Sequence, residues 1–326
     1  MKQVVLGRTG VRVSELCFGT MSFGGDADEG TSAELYRRCR EAGVTFFDCA
    51  NVYAGGHSEE ILGRLIRGTR DELVITSKAG FPTGDGRIPR GLCRRTLRLA
   101  VEDSLRRLGT DRIDMYFCHH RDPDTPVEQT LEVLDELVTE GKILYAGVSN
   151  WTAWQMAEAV EKASRLGLRG IQVIQPMYNL AKRTAEIEIL PYARSAGLGV
   201  ISYSPLGGGL LTGKYGAGKR QDTNGRISVN RMYRRRYEDD GYFELADSFV
   251  TRAAELGVHP VTLAVAWVAG HPAVSCPIIG ARNVEQLEPA LAAADFEMTE
   301  ELRSELNSLT PPVPVPTDRD EERAEW

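Results

Sequence analysis

The chain has 326 residues, 42% of them hydrophobic and 26% charged, which supplies a large core and excludes collagen, coiled coil and bulk disorder. Its 46 acidic against 39 basic side chains give a formal charge of -7, the wrong sign for a surface built to hold a polyanion. Six cysteines without a CxxC pair read as reduced buried thiols, and no apolar run is long enough for a leader or a membrane span. The expectation is a cytoplasmic protein with neither nucleic-acid nor membrane partners.

Taken in chain order, KQVVLGRTGVRVSEL at 2–16 predicts a β-hairpin turning at Thr9-Gly10. Short apolar, β-rich runs then recur at Leu16–Gly19, Thr45–Asp48, Leu73–Lys78, Ile113–Cys118, Ile143–Ser149, Gln172–Gln175, Gly199–Ser204 and Ser275–Ile279. Several are continuous rather than alternating, as parallel strands buried on both faces require. Amphipathic stretches such as Arg94–Leu108, closed by Gly109, and Leu131–Glu140 fall between them. Through the sixth gap the strands recur roughly once per 30 residues, the length of one βα unit. Eight units in strict alternation predict a (β/α)8 TIM barrel over a doubly wound sheet. The surplus between the last two strands is a long insertion: a loop from Gly207 to Asp240 over one barrel face, then helices Phe243–Leu256 and Thr262–Gly270. Residues 1–310 thus read as one barrel domain and 311–326, Pro-rich then charged, as a surface tail.

Two motifs mislead. GGLLTGKY at 208–215 nearly matches a P-loop, but Tyr215 stands where a compact hydroxyl must hold Mg²⁺. His119 and His120 adjoin at a strand end and point to opposite faces, so they do not share a metal ion, and no metal site is expected. Arg231–Asp240 carries four arginines followed by acidic residues and reads as a solvated, self-neutralising helix start.

In a barrel, chemistry collects where the strands end, because the βα loops converge on one mouth. The second, third and fourth strands end at Asp48, Lys78 and His119, and Tyr53 follows Asp48 in the adjoining loop. Singly, each has an ordinary structural role as helix cap, surface charge, core histidine or loop anchor. Together they describe a proton donor. A lysine ammonium beside the phenol lowers its pKa, a buried aspartate keeps the lysine charged, and a neutral imidazole hydrogen-bonds a carbonyl oxygen. Such a site protonates an alkoxide forming on a ketone or aldehyde carbon. With no metal or flavin signature the economical hydride donor is nicotinamide, held by barrel loops since no Rossmann fingerprint is present.

These residues carry a family resemblance. LGRTGVRVSELCFGTMSFG at 6–24, FDCANVY at 47–53, SKAG at 77–80, IDMYFCHHRDPDTP at 113–126, GVSNW at 147–151, IQPMYNL at 174–180, YSPLGGGLLTGKY at 203–215 and PIIGARNVEQLE at 277–288 resemble the aldo-keto reductase superfamily, in order and across nearly the whole chain. The resemblance implies a (β/α)8 barrel reducing carbonyls with NADPH through a tetrad, here Asp48, Tyr53, Lys78 and His119. It implies that Ser149, Asn150 and Gln175 hold the nicotinamide carboxamide, with Asp48 close by, and that Tyr203 stacks on the ring. Gly19, Thr20 and Met21 after the first barrel strand fall on the cofactor side, as do Ile279 and Gly280 at the end of the eighth. Ser204, Pro205, Leu206, Gly207 and Lys214 would line the pyrophosphate, with Arg226 from the same insertion. Arg282 would meet the adenosine 2′-phosphate, which favours NADP(H), and Gln286 fits the same pattern. Pro289-Ala290 depart from the Glu-Asn of many relatives, so no adenine contact carries over there. Met21, Phe23, Tyr53, Phe81, His120, Trp151 and the loop from Met232 to Tyr237 would line the substrate pocket. The partner implied is a small carbonyl compound: a sugar, a secondary-metabolite or mycotoxin ketone, or an aldehyde.

Two other classes compete. The potassium channel β subunits resemble the same fold and bind NADPH, but typically carry Asn where His119 stands. A Schiff-base aldolase would use Lys78 as a neutral nucleophile.

Overall fold

The structure is a computed structural model and describes residues 1–84, 86–218 and 225–316. The opening hairpin forms as predicted, β1 (Gln3–Val5) pairing antiparallel with β2 (Arg12–Ser14). Eight parallel strands follow: β3 (Cys17–Gly19), β4 (Phe46–Asp48), β5 (Val74–Ala79), β6 (Ile113–Cys118), β7 (Ile143–Ser149), β8 (Val173–Gln175), β9 (Gly199–Ser202) and β10 (Cys276–Ile279). They close in sequence order, with β10 completing the ring against β3, so the chain is a (β/α)8 barrel. The expected strand at Gly199–Ser204 is shorter than the sequence suggested. Tyr203 makes only an isolated bridge to Met177, and Ser204 takes a left-handed φ of 62° that no strand tolerates.

Helices alternate with the strands: α1 (Glu29–Glu41), α2 (His57–Leu65), α3 (Arg94–Leu108), α4 (Val127–Thr139), α5 (Ala153–Leu166) and α6 (Ile189–Ala196). Sequence chemistry marks their ends. Asp28 caps α1 by accepting from Thr31 N, and Gly109, Gly167 and Gly197 close α3, α5 and α6 in left-handed conformations. Between β9 and β10 the insertion is less open than a loop. It holds the short helices α7 (Arg226–Val229) and α8 (Arg231–Arg236), then α9 (Gly241–Glu255) and α10 (Pro260–Ala269). Leu210, Tyr215, Ile227, Tyr233, Tyr237 and Phe243 give it a small apolar core of its own. Tyr215, the residue that spoiled the P-loop pattern, is buried there and accepts from Ile227 N. Helices α11 (Val284–Leu291) and α12 (Glu300–Asn307) complete the chain. Residues 311–316 are irregular and mostly exposed, and the rest of the expected tail, 317–326, lies outside the described residues. Among the described residues no helix is long and apolar enough to cross a membrane.

The strands alternate strictly. Cys17, Phe46, Met115, Phe117, Val173, Ile201, Cys276 and Ile278 point inward and pack with Leu6 and Val13 of the hairpin, which closes the lower end. Phe18, Phe47, Ile75, Tyr116, Ile174 and Val200 point outward to the helices. This period of two puts Gly19, Asp48, Lys78, Ser149, Gln175 and Tyr203 one step above the apolar layer, facing the axis at the C-terminal end.

On the outside, α2 lies against the C-terminal end of α3 at Gly63, where an added Cβ would stand 2.5 Å from Leu108 O and 2.7 Å from Arg107 O. Alanine favours a helix over glycine by about 1 kcal/mol, but overpacking costs about 1–3 kcal/mol, so the clash wins. Gly63→Ala should therefore destabilise the fold by about 1–2 kcal/mol, read from the denaturant midpoint.

Candidate active site

Asp48 ends β4, and its carboxylate is the centre of the upper layer. Oδ2 accepts from Lys78 Nζ at 2.6 Å, and Oδ1 accepts from Thr76 Oγ1 at 2.6 Å and from Gln175 Nε2 at 2.8 Å. Lys78, fully buried, uses all three ammonium donors: Asp48 Oδ2, Cys49 O at 2.7 Å and Tyr53 Oη at 3.2 Å. The ammonium also lies 4.9 Å from the Tyr53 ring centroid. The expected Asp–Lys–Tyr chain is thus formed. Thr76, which sequence reading missed, sits two residues before Lys78 on the same face, and the alternation of β5 was the signal for it.

Electrostatics follow from burial and pairing. Burial opposes the Lys78 charge, but Asp48 and Tyr53 outweigh it, and the ammonium is held above its ordinary pKa. A lysine so paired is not the free amine a Schiff base requires, which counts against the aldolase reading. At Tyr53 the lysine lowers the phenol pKa as expected, but it is not the largest influence. Desolvation outweighs the lowering by Lys78, and the phenol is pushed up to about 12. The hydroxyl therefore keeps its proton at neutral pH, as a donor must. His119 is driven down to about 3 by burial, then by the Lys78 and His120 charges, so its imidazole is neutral as expected. Its ring stands edge-on to Tyr53, with centroids 6.3 Å apart, and its buried Nδ1 has no partner among the described residues.

The expected nicotinamide residues form a second network at the same rim. Tyr203 Oη donates to Asn150 Oδ1 at 2.7 Å, and Asn150 Nδ2 donates to His119 O at 2.9 Å and to Ser149 Oγ at 3.1 Å. Ser149 Oγ donates to Gln175 O at 2.8 Å. Gln175 therefore spends its amide nitrogen on Asp48. The Gly-rich segment after Ser204 turns sharply, with Gly207, Gly208, Gly209 and Gly213 all left-handed, and a Cβ on Gly209 would meet Lys214 Cε at 2.8 Å. Arg226 and Arg282 converge on one carboxylate, Asp26, at 3.6 and 3.4 Å. Gln286 accepts from Arg282 N at 3.3 Å. No sequence signal pointed to Asp26.

Two candidates fall elsewhere. Phe23 was expected in the substrate pocket, but it is fully buried against Phe18, with ring centroids 5.7 Å apart, because its loop folds inward. Thr20 was expected beside the cofactor, but it too is fully buried. Its hydroxyl donates to Asp48 O at 3.1 Å and accepts from Ser58 Oγ at 2.8 Å, so it supports the carboxylate's backbone. Ile279 is buried at the end of β10, while Gly280 is exposed. Met21 and Phe81 are exposed, and Phe81 packs its ring on both His119 and His120. Trp151 is mostly buried under Arg121, with Nε1 unpartnered among the described residues. Pro289 lies in α11 and its carbonyl accepts from Thr262 Oγ1, while Ala290 is buried, so neither offers a polar side chain.

Removing the Asp48 charge leaves Lys78 buried without its counter-ion. Asp48→Asn should cost about 3–5 kcal/mol of stability in chemical unfolding, well beyond an ordinary surface change.

Comparison with known proteins identifies the family. Residues 15–310 match the profile described as the Aldo/keto reductase family. An uncharacterized oxidoreductase of Bacillus subtilis, YrpG, is 38% identical, covering 95% of this chain and 96% of its own. A probable voltage-gated potassium channel subunit beta of rice is 39% identical over 89% of this chain and 90% of its own. Human aldo-keto reductase family 7 member A3 is 36% identical over 85% and 87%. The chain belongs to the aldo/keto reductase family, whose members are oxidoreductases that typically use NAD(P)H.

Proposed function

We propose that this chain is an NADPH-dependent carbonyl reductase that converts an aldehyde or ketone to its alcohol, with Tyr53 as general acid. The observation that carries the reading is the Lys78 ammonium, buried between Asp48 at 2.6 Å and the Tyr53 hydroxyl at 3.2 Å.

The donor set fits a dinucleotide phosphate. Two guanidiniums that meet one carboxylate present the paired charge that a phosphomonoester requires, and the left-handed turn after Ser204 is concave beside Lys214. Arg282, with Arg226 and Gln286, would hold the 2′-phosphate. Ser204 to Gly207 and Lys214 would hold the pyrophosphate, and Ser149, Asn150, Gln175 and Tyr203 the nicotinamide end. When bound, the nicotinamide supplies the hydride. The remaining work belongs to the chain. Tyr53 gives the proton of its hydroxyl to the carbonyl oxygen, and the charge left on Oη is offset by the adjacent ammonium. Asp48 keeps that ammonium protonated and in place. The neutral His119 imidazole orients the carbonyl by a hydrogen bond without adding a competing charge. Met21, Phe81 and Trp151 give the mouth apolar walls, which suits a carbonyl carried on an apolar or mixed skeleton.

Relatives named as potassium channel β subunits suggest a binding protein with little turnover as the second reading. The completed tetrad with His119 supports the enzyme. Purified protein should oxidise NADPH in the presence of members of a diverse aldehyde and ketone panel, and prefer it to NADH. Arg282→Ala should raise the KM for NADPH about 10- to 100-fold, the worth of one or two charge-assisted hydrogen bonds, and leave NADH within about 2-fold. Tight NADPH binding with no carbonyl-dependent oxidation across the panel would overturn the enzyme in favour of the binding subunit.

A further inference from the structure

Behind the site lies a second buried charge that the mechanism above does not use. Glu59, in the first turn of α2, is fully buried. Its Oε1 accepts from Ser77 Oγ at 2.5 Å, and its Oε2 accepts from Arg107 Nε of α3 at 2.6 Å. Ser77 precedes Lys78 on β5 and faces outward, while Lys78 faces in. Glu59 itself lies six residues after Tyr53, and the intervening turn is left-handed at Ala54, Gly55 and Gly56, with φ of 47°, 67° and 102°, a conformation strained at Ala54. Arg107 lies directly against that turn, since a Cβ on Gly56 would stand 3.0 Å from Arg107 Cδ and 3.1 Å from its Nε. Tyr116, paired with Ser77 in register on β6, also lies in the field of this carboxylate, which adds to the effect of burial in holding its phenol protonated.

One carboxylate therefore ties together the strand that carries the lysine, the turn that carries the phenol and the helix that braces the turn. We infer that Glu59 is a positioning residue for proton transfer, setting the separation of Tyr53 Oη and Lys78 Nζ through Ser77 and Arg107. The inference rests on the reading of Tyr53 as the acid. At 3.2 Å that contact sits at the long end of hydrogen bonding, so a small shift of the turn breaks it. A buried ion pair is a poor stabiliser compared with apolar packing of equal volume, whereas its two directional bonds admit one geometry only. Glu59 earns its place by register.

The test compares stability with chemistry in the full chain. Ser77→Ala removes one bond of Glu59 and leaves the ion pair. Glu59→Leu with Arg107→Leu replaces the pair by apolar packing. For each variant the unfolding midpoint, the NADPH dissociation constant and the hydride-transfer rate with light and 4-deuterated NADPH are measured. Ser77→Ala should lower the midpoint, since a buried carboxylate oxygen loses its donor, and bind NADPH within about 2-fold of wild type, yet transfer hydride about 10-fold more slowly with a larger isotope effect on kcat; Ser77→Thr should restore both midpoint and rate. The double variant should regain a wild-type midpoint and stay slow. A wild-type hydride rate in Ser77→Ala, or a rate that returns with the midpoint in the double variant, overturns the inference. If wild-type protein reduces no carbonyl, the reading of Tyr53 fails instead, which separates the two. Should the double variant fail to fold, Ser77→Ala and Ser77→Thr decide alone.

Discussion

A lysine and an aspartate buried face to face inside the barrel constrain everything above them. Placing either charge alone in that interior costs several kcal/mol, and the pair is tolerable only because the lone pairs and protons around it are used. Lys78 spends its three donors on Asp48, Cys49 O and Tyr53, while Asp48 gathers Thr76 and Gln175 besides the lysine. Three strands, β4, β5 and β8, and the loop after β4 must therefore stay in register for the pair to survive. The same demand fixes Tyr53, whose hydroxyl is the lysine's third acceptor.

The rest of the site is arranged on the layer this pair occupies. Below it, apolar inward residues and the hairpin seal the barrel. Around it, the non-glycine residues with positive φ among those described, Ala54, Asn150 and Ser204, all stand at the rim, beside the phenol, at the end of β7 and at the start of the Gly-rich turn. Strain of this kind persists where neighbouring structure over-determines it, and here hydrogen bonds from Asn150 to His119 O and from Asn179 to Ser204 O do so. The insertion adds its own apolar core and carries Arg226 to the side of the mouth where Arg282 stands, with Asp26 between them.

Much of this was legible in the sequence, for physical reasons. Strands buried on both faces read as apolar runs, and their recurrence about once per βα unit predicted closure. Asp48, Lys78 and His119 were visible because a charged or basic residue ending such a run has few other places to go. What stayed hidden depends on side-chain direction or on long-range balance. Phe23 sits in a loop, where no period tells inside from outside, and it turned into the core. The Tyr53 phenol is pulled two ways, and only its depth in the structure decides that burial beats the lysine. Glu59, Ser77 and Arg107 lie on α2, β5 and α3, and nothing in local pattern pairs them. The Arg-rich run did become a helix, but a short one packed at the mouth through Tyr233 rather than a solvated start alone.

The central claim is that the Tyr53 hydroxyl delivers the proton beside a lysine kept charged by Asp48. Hydride transfer in a single turnover of Tyr53→Phe, measured alongside NADPH binding, tests it most directly. The account predicts a rate lowered by a factor on the order of 100 or more, with NADPH bound within about 2-fold of wild type. Turnover at the wild-type rate would contradict it.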